Sequence, residues 1–312
     1  MVVSPTGTSE EPKRNKRMSK NKTSKRGSLL SKTLFIFGIA LIFSLIGIIG
    51  FILYSGHKEK EVPFKTIPTT PHVAKIEKPQ LPPVKTYIPK AKVAIVIDDM
   101  GQDINQLRKL LEIDAPISIA VLPFLPHSKD IAKEANLKGR EVLLHLPMEP
   151  KDSMGNNPGE GALYTDMSEA KVDEQVKRGI DAVPYIAGIN NHMGSRFTED
   201  ERLMRTVLDV VKTKHLFFLD SKTTNKSAAY KLAKEMGVKA ASRQVFLDNK
   251  EDVDYIKGQI RTLIKIAKKK GSAIAIGHPH PATILAIKEM ISKLNEEVEV
   301  VSVSSLIDNV NE

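Results

Sequence analysis

From residue 92 onward the chain alternates between two kinds of segment, and this limits its fold more than any other feature. Apolar runs rich in Val, Ile, Leu and Phe occur at 93–97, 117–122, 141–146, 185–190, 216–220, 243–247, 273–277 and 298–303. Between them lie stretches with a charged face, among them "INQLRKLLEI" (104–113), "SEAKVDEQVKRGIDAV" (168–183), "EDERLMRTVLDVVKT" (199–213) and "DVDYIKGQIRTLIKIAKKK" (252–270). Strand followed by helix argues for parallel strands joined by right-handed crossovers. A parallel sheet is covered on both faces, so its strands read as continuous apolar runs, as these do. Seven or eight such units suit a closed or nearly closed α/β barrel, with an open doubly wound sheet as the competing arrangement. No Gly-rich phosphate loop follows the first run, which argues against a nucleotide site there.

The charge is unevenly placed. Residues 1–91 hold 16 Lys/Arg and 5 Asp/Glu, a net of +11, whereas the rest of the chain holds 31 and 32, a net of −1. A nucleic-acid-binding footprint needs positive charge clustered on the folded body, so no nucleic-acid partner is expected. Cysteine is absent, which removes disulfides and thiolate metal ligands and fits an oxidising compartment. Residues 1–32 read as a basic cytoplasmic tail, with nine Lys/Arg between 13 and 32. The run "TLFIFGIALIFSLIGIIGFILY" (33–54) then offers 22 residues without a charge. At about 1.5 Å per residue that length spans a hydrocarbon core of about 30 Å. Basic residues before it place the N-terminus in the cytoplasm and the body outside. No small-x-small cleavage site follows before Tyr54, so the expectation is a transmembrane signal anchor in the cell membrane rather than a cleaved signal peptide. Residues 55–91, with seven prolines, read as an extended linker, and 92–312 as the folded body.

In barrels and open α/β sheets alike, sites form at the C-terminal ends of strands. Here those ends read "IDDMG" (97–101), "VLPF" (121–124), "LLHLPMEP" (143–150), "INNHMGSRFT" (189–198), "FLDSKTT" (218–224) and "IGHPHPAT" (276–283). Four of the eight histidines and three aspartates fall on these edges. Imidazoles with a carboxylate and no thiolate suit Zn²⁺ or a similar divalent ion. Such an ion also explains the adjacent carboxylates Asp98 and Asp99: one stays ionised as a ligand while its neighbour serves as general base. Neighbours on a regular strand point to opposite faces, so both face one site only where the strand breaks, here expected at the turn around Gly101.

"VAIVIDDMG", "LLHLPMEP", "GINNHMGSRFT", "FFLDSKT" and "IGHPHPAT", in this order, resemble the divergent polysaccharide deacetylase family, a distant branch of the NodB-type carbohydrate esterases. The resemblance spans about residues 92–308 and implies a distorted (β/α) barrel of about seven parallel strands. It implies metal-assisted removal of acetyl groups from sugars, with a carbohydrate polymer or oligomer as substrate. By the same resemblance Asp98 is the catalytic base, Asp99 a metal ligand, and the general acid one of His278 and His280. "LLHLPMEP" holds a single histidine, His145, so the remaining ligand is sought at the next strand end, in His192. Around them, Asn190 and Asn191 are positioned to donate to a developing oxyanion or to mark a turn. Arg196 orients the aspartates, binds a substrate charge, or forms a surface ion pair. Asp220 orients a histidine or caps the following turn. The expected activity is that of a membrane-anchored, extracytoplasmic hydrolase; the alternative is a tethered binding or scaffold protein that keeps the barrel without the chemistry.

Overall fold

The computed structural model describes residues 89–307 and, upstream, the helical residues Ile46, Ile48 and Ile49. The tail (1–32), most of the signal anchor (33–54) and most of the linker (55–91) lie outside the described residues. Among the described residues no helix is long and apolar enough to cross a membrane.

β1 (Lys92–Met100) shows how the two faces are built. Val93, Ile95 and Ile97 pack in one apolar layer, while Ala94 and Val96 pack in another. The chain then runs α1 (Ile104–Leu111), β2 (Ser118–Val121), α2 (Ser128–Leu137), β3 (Val142–Met148), α3 (Glu169–Ala182) and β4 (Ile186–Met193). It continues through α4 (Glu201–Thr213), β5 (Phe217–Asp220), α5 (Ala229–Glu235), β6 (Ala240–Ser242), β7 (Val245–Phe246) and α6 (Val253–Lys270). β8 (Ser272–Gly277), α7 (Pro281–Glu297), β9 (Glu299–Val300) and α8 (Ser304–Ile307) complete it. Asp103, Ser168, Asp200 and Asp252 each accept a backbone N–H at the start of a helix, satisfying donors that have no partner inside the helix.

The sheet runs β6-β5-β4-β3-β2-β1-β8-β7, with β9 beside β1, and its pairings are parallel. β6 and β7 sit at opposite ends of this order, yet only Arg243 and Gln244 separate them in sequence. The sheet is therefore curled until its edges almost meet, an α/β half-barrel as the alternation and the resemblance predict. Those two residues clasp the gap. Arg243 N donates to Asp220 O (3.0 Å) on one side, and Gln244 N donates to Ile274 O (2.9 Å) on the other. Gln244 Oε1 accepts from Ile274 N (2.6 Å), and its Nε2 donates to Ser242 O.

The outer layer lies between sheet and helices. The inner layer joins Ala94, Val96, Ala120, Leu143, Leu219 and Ile276 to Val301, Val303, Leu306 and Ile307. The C-terminal segment thus plugs the end of the barrel where strands begin, and Glu141 fixes it there by accepting from Val303 N (2.8 Å) and Ser304 N (3.1 Å). Both layers lie within the compact unit that begins at Pro83, so this unit carries its own core. The apolar run at 298–303 is strand only at Glu299–Val300, and 243–247 only at Val245–Phe246; the rest of each serves as plug and clasp.

Candidate functional site

With one end of the barrel plugged by aliphatic side chains, the buried carboxylates and the buried imidazole gather at the other. Asp98 continues the inward face of β1, in line with Ala94 and Val96, and is almost fully buried. Alternation would turn Asp99 outward. Instead Asp99 has φ 56°, and the β1–β2 register slips between Ile97 and Met100. A left-handed residue inside a strand reverses the local pleat, and both carboxylates thereby reach one site. The break lies at Asp99 itself, two residues before the expected turn; Gly101 (φ 143°) follows where a Cβ would meet Leu125 Cδ1 at 2.9 Å.

β3 and β4 supply the imidazoles. Their register pairs His145 with Asn190 and Pro147 with His192. Asn190 Nδ2 donates to Asp98 Oδ1 (2.8 Å) and to Ser221 Oγ (3.2 Å), which turns its Oδ1 toward His145 Nδ1 at 3.0 Å. His145 therefore carries a proton on Nδ1 and presents Nε2 to the cluster. Nε2 lies 3.1 Å from Asp99 Oδ1, 3.1 Å from His192 Nδ1 and 3.5 Å from Asp98 Oδ2; His192 Nδ1 lies 2.9 Å from Asp99 Oδ1. The two imidazoles hydrogen-bond to each other, whereas Asp99 Oδ1, although buried and close to both, has no hydrogen-bond partner. Three potential ligand atoms from Asp99, His145 and His192 thus converge on one point. Their N₂O donor set without thiolate fits a divalent cation.

The charges are coupled. Burial raises the Asp98 carboxyl above its usual range, against the pull of His145 and His278. Burial would raise Asp99 as well, but the adjacent His145 and His192 outweigh it and hold Asp99 far below the carboxylate range. Burial opposes charge on His145, yet Asp98 and Asp99 raise its pKa.

The fourth imidazole comes from β8. Asp248, just beyond β7, accepts from His278 N (2.6 Å) and Thr283 Oγ1 (2.8 Å), and its Oδ1 lies 3.1 Å from His278 Nδ1. His278 Nε2 then sits 3.7 Å from Asp99 Oδ2. Burial opposes the imidazolium, but Asp248, Asp99 and Asp98 push the His278 pKa up to about 9. His280 lies farther out at the start of α7, with Nδ1 3.6 Å from Glu251 Oε1. Of the two histidines flanking Pro279, His278 is the one brought to the aspartates.

The other candidates do not join this cluster. Asn191 gives Nδ2 to Met193 O (2.8 Å) and takes Ser221 N on Oδ1 (2.9 Å), tying β4 to the end of β5. Arg196 is half exposed, with NH1 3.5 Å from Glu149 Oε1. Asp220 accepts from Lys222 N and Ser227 Oγ, each at 2.8 Å, and so caps a turn rather than orienting a histidine. Two residues escaped the sequence reading. Asp248 closes "VFLD" (245–248) just as Asp220 closes "FFLD" (217–220), and that repeated ending was the available signal. Arg243 donates to Ser221 O (2.6 Å) and Lys222 O (2.9 Å) and lies 4.9 Å over the Phe246 ring, itself 5.3 Å from His278. Its place in the clasp depends on chain reversal between sheet edges, which no local pattern announces.

Comparison with known proteins agrees with the fold. A family model described as divergent polysaccharide deacetylase matches residues 95–307. A Haemophilus influenzae protein is 38% identical over 220 residues, covering 70% of this chain and 78% of that protein. YibQ of Escherichia coli is 39% identical over 218 residues, covering 70% of this chain and 67% of YibQ. The crystal structure of ATU2773 from Agrobacterium tumefaciens superposes with a TM-score of 0.68 at 23% identity, covering 71% of this chain and 91% of that one, and so shares the fold.

Proposed function

We propose, from the premise that this chain belongs to the divergent polysaccharide deacetylase family, that it is a metal-dependent hydrolase removing acetyl groups from an envelope glycan. In this reading the charge-free run at 33–54 anchors it in the cell membrane with its body outside. The observation that carries the proposal is the buried Asp99 Oδ1, within 3.1 Å of two imidazole nitrogens and hydrogen-bonded to neither. A buried acceptor left without a donor is costly, and a cation relieves that cost.

Asp99, His145 and His192 would hold the ion, most suitably Zn²⁺. Bound there, a divalent ion supplies Lewis-acid polarisation and acidifies coordinated water. Asp98, with one oxygen held by Asn190 and the other facing His145, accepts the proton as water adds to the acetyl carbonyl. Its raised pKa suits a group that must both take and release a proton. His278, held on its Nδ1 side by Asp248, delivers a proton from Nε2 to the departing amine or alkoxide. The balance is one water consumed, one acetate and one free amine or hydroxyl formed.

The test is acetate release from acetylated cell-wall glycan fragments by the wild type and Asp98→Asn, each checked for folding and metal content. Release by the wild type and loss in the variant support the reading. Equal release by both ends the general-base role, and no release by the wild type on any acetylated glycan favours the binding-protein alternative.

A further inference from the structure

The near-zero charge of the body conceals a segregation. α6 carries six cations, Lys257, Arg261, Lys265, Lys268, Lys269 and Lys270, against the single acid Asp254. The helix dipole accounts for the lysines of the last turn. It does not account for Arg261 and Lys265, which are exposed at mid-helix and, among the described residues, have no acidic partner. Both line a groove of about 350 Å³ with Lys268, Lys293 and Glu297. A second groove, of about 540 Å³, is lined by Lys90, Lys92, Lys268 and Glu297. The two share Lys268 and Glu297, so they adjoin: their linings together hold six cations and one acid, with the exposed Glu299 in register beside Lys92.

Its place in the fold matters as much as its charge. Lys90 and Lys92 lie where the chain enters β1, at the plugged end of the barrel, and Lys268 pairs with Glu297 (2.7 Å) beside them. Asp98 lies six residues further along β1, about 20 Å away at about 3.3 Å per residue. Only 34 residues separate Tyr54, the end of the charge-free run, from Pro89.

We propose that this basic face rests on the anionic headgroups of the bilayer that holds the N-terminal segment, so that the deacetylase site opens away from the membrane. The proposal rests on the anchored reading above. A tether alone leaves the body free to tumble; the face gives it one orientation. Each Lys or Arg near an anionic bilayer contributes about 1 kcal/mol, or about fivefold in affinity, so removing three costs about 100-fold.

The experiment uses residues 83–312, which carry their own core and lack the charge-free run, so its failure is separate from failure of the anchor. Co-sedimentation is measured with phosphatidylglycerol/phosphatidylcholine vesicles and with phosphatidylcholine alone. The expected result is binding to the anionic vesicles only, lost in about 0.5 M NaCl, and about 100-fold weaker in Lys92→Gln/Arg261→Gln/Lys265→Gln. Lys129→Gln/Lys133→Gln, on α2, should bind as the wild type does. Thermal unfolding checks each variant, and the salt dependence of the wild type stands even if the triple variant does not fold. Absence of binding to anionic vesicles, or equal loss in the α2 variant, overturns the proposal. Tighter binding to oligo-dT than to the vesicles overturns it too, and reassigns the face to an anionic polymer.

Discussion

Replacing His192 by Ala removes one of the three converging atoms while leaving the buried His145–Asn190–Asp98 chain in place. Metal content after dialysis, read by elemental analysis, should fall sharply; unchanged occupancy would remove His192 from the ligand set. Asn190 touches no ion in this scheme but fixes which nitrogen of His145 is free, so Asn190→Ala should weaken metal affinity about 10–100-fold, measured by competition with a chelator. Asp98→Asn keeps the shape and removes the base: turnover should drop about 10²–10⁴-fold with metal retained. His278 gives a prediction for the chelator-stripped protein. Its pKa rises from the ordinary 6.5 to about 9 on folding, so charge on the ring favours the native state. That contribution is complete below about pH 6.5 and disappears as pH climbs through about 9. Urea midpoints of the stripped protein should therefore decline across this interval, and the decline should flatten in Asp248→Asn. A flat wild-type profile would sever the link between Asp248 and the ring's charge.

Among elements, β4 and β5 set the tightest packing. Gly188 faces Phe217 so closely that an added Cβ would lie 2.4 Å from ring carbons, and a buried phenyl has nowhere to retreat. Gly188→Ala should cost about 1–3 kcal/mol as overpacking, seen as a lower urea midpoint with unchanged slope. The same scale explains what was legible beforehand. Long apolar runs such as 93–97 and 141–146 declare buried parallel strands, and the order of polar strand ends announces Asp98, Asp99, His145, His192 and one of His278 and His280 as neighbours. β6 (Ala240–Ser242) is too short and too alanine-rich to stand out. Asp248 was hidden because its meaning lies in a contact 30 residues away with His278. Asn190 and Asn191 looked equivalent in sequence. Strand alternation separates them, sending one amide to Asp98 and His145 and the other to the backbone of Met193 and Ser221.

At the scale of the whole molecule, the anchored reading predicts that residues 33–54 remain on the mature protein. Mass analysis of the purified protein should find them, and carbonate or salt washing should leave it in the membrane fraction. A mature N-terminus beyond Tyr54 with release by salt would refute it. The clasp at Arg243 and Gln244 has a different consequence. Read across the sheet from β7 through β8 and β1 to β6, the strands follow strict chain order except at one point, where the described chain begins and ends. β9 already lies beside β1, pairing Glu299 with Lys92. A circular permutant opened between Arg243 and Gln244, with residues 307 and 89 joined by a flexible linker, would therefore meet each neighbour in the order of synthesis. Each cut end would keep its own backbone anchor, Arg243 on Asp220 and Gln244 on Ile274. This chain threads the barrel from β1 out to one edge and then from the other edge back to β1; the same barrel can be threaded from one edge to the other.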